Sequence, residues 1–137
     1  MTNRYATLIV ADDVHIDLTG KLMIFGVYTG DIQIPAEPST SPRLVFVFTV
    51  ETDVKDPFRS MILEVTLPGA PPAQMPIQVI RPPILPGRTR AVARLQFLVL
   101  MPILRQGHIG AKVIHENGEI IVTSPWIVVA SSPPTIG

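Results

Sequence analysis

Hydrophobic positions along this chain recur at every second residue. Leu44, Phe46, Phe48 and Val50 alternate with Arg43, Val45, Val47, Thr49 and Glu51, which is the pattern of a half-buried strand whose other face is only partly polar. Met61, Leu63, Val65 and Leu67 alternate with Ile62, Glu64 and Thr66 in the same manner. Ala91, Ala93, Leu95, Phe97, Val99 and Met101 form the inward set of the longest predicted strand, with Arg90, Arg94 and Gln96 facing out. Past Phe97 both faces turn apolar, so residues 98–104 offer no wet side. Apolar residues hold a 3.6-residue period nowhere for three turns, and fifteen prolines and nine glycines disfavour long helices.

Two turn signals organise these strands into hairpins. Residues 107–115 and 119–129 face each other across Asn117-Gly118, the pair that most cheaply supplies two positive φ angles to a type I′ turn. Pairing across it puts Ile109, Val113, Ile120, Val122 and Trp126 on one side and sets Lys112 opposite Thr123. Residues 14–18 and 21–28 flank Thr19-Gly20, a weaker turn because threonine disfavours φ > 0. Its pairing places Val14, Ile16, Met23 and Phe25 on one face. Residues 5–10 precede it as another strand, running on through Asp12 with a bend.

A hairpin with one greasy face must pack that face on a second sheet. The expected fold is therefore all-β: a two-layer antiparallel β-sandwich of the immunoglobulin-like kind, with seven to eight strands. Without cysteine it has no antibody-type disulfide, thiolate metal site or thiol nucleophile. The Pro, Ser and Thr-rich residues 35–42 read as the link from one sheet to the other. Residues 68–90 contain seven prolines and read as polyproline II and irregular loop, with residues 77–80 as a short edge strand. At 137 residues the chain fits one domain, expected over residues 1–130, with residues 131–137 as a flexible tail.

Composition adds a question of surface. Apolar residues make up 47% of the chain and charged residues 16%, against a usual quarter for soluble domains. Such a surface is sticky, and a homo-oligomer or a protein partner is the expected way to cover it. Eleven basic residues balance eleven acidic ones, which argues against a nucleic-acid binder. No spanning segment or signal peptide is apparent, so no membrane role and cytoplasmic residence are expected. Between Glu64 and Glu116 there is no acid, while Arg81, Arg88, Arg90, Arg94, Arg105 and Lys112 fall there. These cations are expected on different strands pointing different ways; a contiguous anion-binding face is the alternative.

Local chemistry is sparse. Asp13, His15 and Asp17 would share one face of an extended strand, but same-face neighbours lie nearly ~7 Å apart, and a solvated face opposite Val14 and Ile16 is the expected reading. Glu51, Asp53 and Asp56 read as a solvated turn in preference to a calcium loop. His108 and His115 face opposite sides on straight alternation and cannot chelate together. There is no Gly-x-Ser-x-Gly elbow and no glycine-rich phosphate loop. Residues 83–88 match Pro-x-x-Pro-x-Arg, read here as a rigid connector. No catalytic residue, metal or other cofactor is expected.

Read in order, Ala11-Asp12, Gly20-Lys21-Leu22, Gly26-Val27-Tyr28, Ile34-Pro35 and Pro68-Gly69 resemble a family of uncharacterised bacterial small all-β proteins of about this length. In that family an apolar strand ends in Asp, a Gly-Lys-apolar hairpin and a Gly-apolar-aromatic step follow, and a Gly-led hairpin closes the chain. At the closing strand this sequence has His108-Ile109-Gly110 where an aromatic would be expected. The resemblance implies a β-sandwich of unknown role and transfers no catalytic residue. The expected function is a non-enzymatic structural or protein-interaction module. The alternative is a small-ligand or carbohydrate-binding sandwich using the 68–90 loop, with Arg81, Arg88, Arg90 and Trp126 as binding residues.

Overall fold

The computed structural model of the chain describes residues 4–28, 31–78, 86–122 and 127–131. They form β1 (Tyr5–Ile16), β2 (Leu22–Val27), β3 (Ile32–Ile34), β4 (Ser39–Thr40), β5 (Arg43–Asp53), β6 (Ser60–Thr66), β7 (Ala73–Gln78), β8 (Arg90–Leu100), β9 (Ile103–Leu104), β10 (Gly107–His115), β11 (Ile120–Val122) and β12 (Ile127–Ser131). The fold is all-β, with more strands than the seven or eight expected. The excess lies in β3, β4 and β9, pieces of two or three residues too short to show alternation, and in the strand expected at residues 119–129, which contains β11 and the start of β12 as separate elements.

One sheet has four strands in the order β2-β1-β5-β8. A six-stranded sheet has the order β3-β12-β10-β6-β7 with β11 also on β10, and β4 and β9 form a two-stranded ribbon. The ladders are antiparallel apart from β12 with β3. Residues 35–42 lead from β3 in the six-stranded sheet to β5 in the four-stranded one, as their composition indicated. Leu8, Val10, Phe46, Phe48, Val50 and Phe97 of the smaller sheet join Leu63, Val65, Ile109, Val113 and Val129 of the larger in one buried cluster. Burial of such apolar area is the main favourable term in folding, and the stripes that supply it were legible as alternation.

Both hairpins differ from expectation by one residue, for one reason. Ile16 pairs with Leu22 and Val14 with Ile24, so Met23 and Phe25 stand opposite His15 and Asp13 and not beside Val14 and Ile16. Likewise Lys112 faces Val122, and Val113 faces Ile121 where Val122 was expected. Each connection is a three-residue loop in which only the glycine is left-handed, Gly20 at φ 85° and Gly118 at φ 87°. Gly20 N–H donates to Asp17 O and Gly118 N–H to His115 O, the type I turn followed by a glycine bulge that ranks next to the two-residue loops. Thr19 and Asn117 thus avoid positive φ, and the longer loop shifts the ladder. A one-residue shift exchanges the faces: Ile121 packs on the core while Ile120 is exposed.

Three further expectations are corrected. β7 begins at Ala73, earlier than the edge strand expected at residues 77–80, and turns Met75 and Ile77 toward the core. Pro76 is tolerated because β7 is the outermost strand. Met101 is not an inward residue of β8: it adopts φ 49° before Pro102 and is exposed. Ser131 belongs to β12 and not to a tail. Residues 79–80, 83–85 and 132–137 lie outside the described residues, as does Thr123.

On the outer face of the larger sheet, Glu64 is flanked in register by Gln74 of β7 and Lys112 of β10. Gln74 Nε2 donates to Glu64 Oε1 at 2.8 Å, and Lys112 Nζ lies 3.0 Å from Oε2. The Gln74 hydrogen bond, and after it Lys112, holds the Glu64 carboxyl below its ordinary value of 4.5. A carboxyl depressed in the fold stabilises it above the unfolded value and loses that contribution as pH falls through the folded one. Urea midpoints measured from neutral pH downward should therefore fall more steeply below pH 4.5 for the parent than for Glu64→Gln. Parallel profiles would contradict this.

Candidate functional site

The residues that resembled a metal site serve local structure instead. Asp13 Oδ2 meets His15 Nε2 at 2.8 Å, and Asp13 Oδ1 accepts from Arg43 Nη1 at 3.1 Å and from the Val14 amide at 2.9 Å. Asp17 lies beyond the end of β1, where its Oδ1 accepts from Thr19 N, Thr19 Oγ1 and Lys21 N. These bonds to Thr19 and Lys21 lower its pKa, and the His15 hydrogen bond lowers that of Asp13. The three side chains thus work as a pair and a separate turn cap. Glu51 pairs with Arg90 at 3.0 Å, Asp53 accepts from Lys55 N, and Asp56 pairs with Arg4 at 2.9 Å. Among the described residues no group of three or more His, Cys, Asp or Glu could hold a metal ion.

His108 is exposed and His115 buried, as alternation required. A polar cluster that the sequence did not announce surrounds His115. The Arg4 guanidinium, buried, lies 4.9 Å over the Phe58 ring, contacts His115 Nε2 through Nη1 and donates to Asp56 O through Nη2. His115 Nδ1 accepts from the Asn117 amide at 3.2 Å, and Nε2 lies 3.2 Å from Glu116 Oε1. This ties the chain's start to the β10–β11 turn.

The candidate binding residues separate. Arg81 and Trp126 lie outside the described residues. Arg90 pairs with Glu51 and stacks 5.3 Å over the Tyr5 ring. Arg88 lines a cleft of about 1060 Å³ with Ile9, Thr49, Val92, Arg94 and Gln96 on one side and Ile16, Gly20, Lys21, Leu22 and Ile24 of the β1–β2 hairpin on the other. Of the cations in the acid-free stretch, Arg88 and Arg94 share this cleft, while Lys112 pairs with Glu64.

A corner in the hairpin creates the cleft. By register Ile9, Val47, Gln96, Ala11, Val45, Leu98, Val27, Thr49 and Arg94 all point to the outer side of the four-stranded sheet. Straight alternation from Ile9 would put Ile16 and its partner Leu22 on the opposite side, yet they line the same cleft as Ile9. The hairpin therefore turns over between them and folds back across the outer face. The turn falls where Gly26, at φ 66°, lies against Asp12. Ala11, Val45 and Val47 are buried although they point away from the core.

Outside the cleft the outer face stays bare. Tyr5, Val27, Leu98 and Leu100 are exposed there, Leu98 at 50% and Leu100 at 68%, and Ile9 and Val92 at the cleft are exposed as well. Met23 and Phe25 are exposed on the side of the hairpin opposite Leu22 and Ile24, with the His15 ring edge-on to Phe25 at 5.4 Å. Among the described residues no helix is long and apolar enough to cross a membrane.

No family model, curated protein or solved structure matches this chain.

Proposed function

We propose that the chain is a two-layer antiparallel β-sandwich of immunoglobulin-like arrangement that acts as a non-enzymatic, cytoplasmic interaction module and associates with a second copy of itself. The concentration of exposed apolar side chains on the outer side of the four-stranded sheet carries this reading. It sharpens the compositional argument, because six of the thirteen exposed large apolar side chains among the described residues share one face.

The geometry of β8 favours a copy of the chain as occupant. Among the described residues β8 pairs with β5 alone, and its eleven residues contain neither proline nor glycine to blunt the edge. An antiparallel two-fold seam through Leu95 would set Val92 against Leu98, Arg94 against Gln96 and Arg90 against Leu100. No like charges meet in that register, and apolar residues continue across the seam. Static light scattering at micromolar concentration should give at least a dimer, and Leu98→Glu with Leu100→Glu should return the monomer mass. A parent chain that stays monomeric throughout would overturn the reading.

The small-ligand or carbohydrate alternative draws support from Arg88 in the cleft. Arg90, engaged by Glu51 and Tyr5, does not add to it.

A further inference from the structure

We propose that the cleft between the β1–β2 hairpin and the outer face of the four-stranded sheet binds an extended acidic peptide segment carrying aliphatic side chains. This deepens the interaction-module reading and rests on it only in taking the outer face as the docking side. Charge is the first argument. Lys21, Arg88 and Arg94 line the cleft and no carboxylate does. All eleven acids of the chain lie among the described residues, and the ion pairs there engage other cations. Three cations thus face one space without an internal counter-charge, which favours an anionic visitor with several charges.

Shape is the second. Ile9, Ile16, Leu22, Ile24 and Val92 give the cleft an apolar wall, so the occupant must be apolar on one side as well. Val92, Arg94 and Gln96 are successive same-face positions of β8, spaced by roughly 7 Å, the repeat of any extended peptide. Such a segment can set acid and aliphatic side chains against them in step. At about 1060 Å³ the cleft exceeds the roughly 300–1,000 Å³ of pockets that enclose small molecules. A single-headed amphiphile would satisfy one cation and leave two. Among the described residues no aromatic ring lines the cleft to stack a sugar or a base.

The test is fluorescence anisotropy with a dye-labelled Glu-Leu-Glu-Leu-Glu-Leu peptide, beside counterparts in which Gln or Lys replaces Glu. The acidic peptide should bind saturably and weaken with added salt. Arg94→Glu should weaken it about tenfold or more with an unchanged circular dichroism spectrum, and should improve binding of the Lys peptide. Lys21→Glu, on the hairpin end, repeats the test should Arg94→Glu fail to fold. Equal binding of the three peptides, or unchanged affinity in folded charge-reversal variants, would overturn the proposal. So would saturable binding of decanoate with none of the peptide, which would assign the cleft to an amphiphile. A chain that self-associates but ignores the peptide loses this inference alone; one that binds it as a monomer loses only the self-association.

Discussion

Phe46→Ala should lower the unfolding free energy by about 3–5 kcal/mol, the cost of removing a large buried aromatic side chain and leaving a cavity. Phe46 is fully buried on β5, between Val10 of β1 and Phe97 of β8 in the register of the four-stranded sheet. Its ring meets that of Phe97 edge-on, 6.4 Å between centroids at 89°, a geometry worth about 1 kcal/mol beyond area burial. Because β5 is hydrogen-bonded on both sides, the backbone around the cavity is poorly placed to collapse into it. Urea unfolding at fixed protein concentration should show a lower midpoint with an unchanged slope. Leu98→Ala, half-exposed in the single chain, is the control and should cost under about 1 kcal/mol in a monomeric background. A Phe46→Ala cost as small as the control's would remove the assignment of this stripe to the core.

Gly26→Ala should cost about 2–3 kcal/mol, combining a left-handed alanine with the loss of a hydrogen bond. A Cβ at this position would lie 2.4 Å from Asp12 Oδ2. Asp12 Oδ1 is the acceptor of the Tyr28 hydroxyl at 2.6 Å, so the carboxylate cannot retreat without releasing the tyrosine. A double-mutant cycle separates the parts: Asp12→Ala removes the carboxylate but leaves its Cβ 3.0 Å from the added one, so in that background Gly26→Ala should keep the backbone cost of about 1–2 kcal/mol and this tight contact, without the loss of the tyrosine hydrogen bond. Burial, and after it the hydrogen bond and charge of Asp12, pushes the Tyr28 phenol up from 10.0 to about 12. Both single variants should return its titration, read by tyrosinate absorbance, toward 10.0. The raised value also stabilises the fold below pH 10, a contribution lost as pH rises through about 12. Additive costs in the cycle, or an unmoved phenol, would show that Gly26 and Asp12 are not in contact. Since this corner turns the hairpin over the sheet, peptide binding in the cleft should weaken in Gly26→Ala as well.

The candidate site was less legible than the core. Leu44, Phe46, Phe48 and Val50 announce themselves because each needs only its own strand to mark the buried side. Lys21 and Arg94 are far apart in the chain and on different strands, so their meeting in the cleft has no local signature. A partial hint existed in the acid-free stretch that contains Arg88 and Arg94. Another lay in Thr19: its aversion to positive φ was already an argument for the three-residue loop that the structure contains. Asn117 carried no such warning, because Asn-Gly suits the two-residue loop equally well.

By itself the chain determined its period of two, the stripes that meet in the core and the passage from one sheet toward the other through residues 35–42. These are local properties, set by backbone sterics and by the gain from drying every second side chain. Only tertiary structure decided the register of the two hairpins, the edge position that admits Pro76 and the turning-over of β1 and β2 at Gly26. Neighbouring registers differ little in local energy, and the choice between them falls to whichever places Ile121 and its row against the opposite sheet.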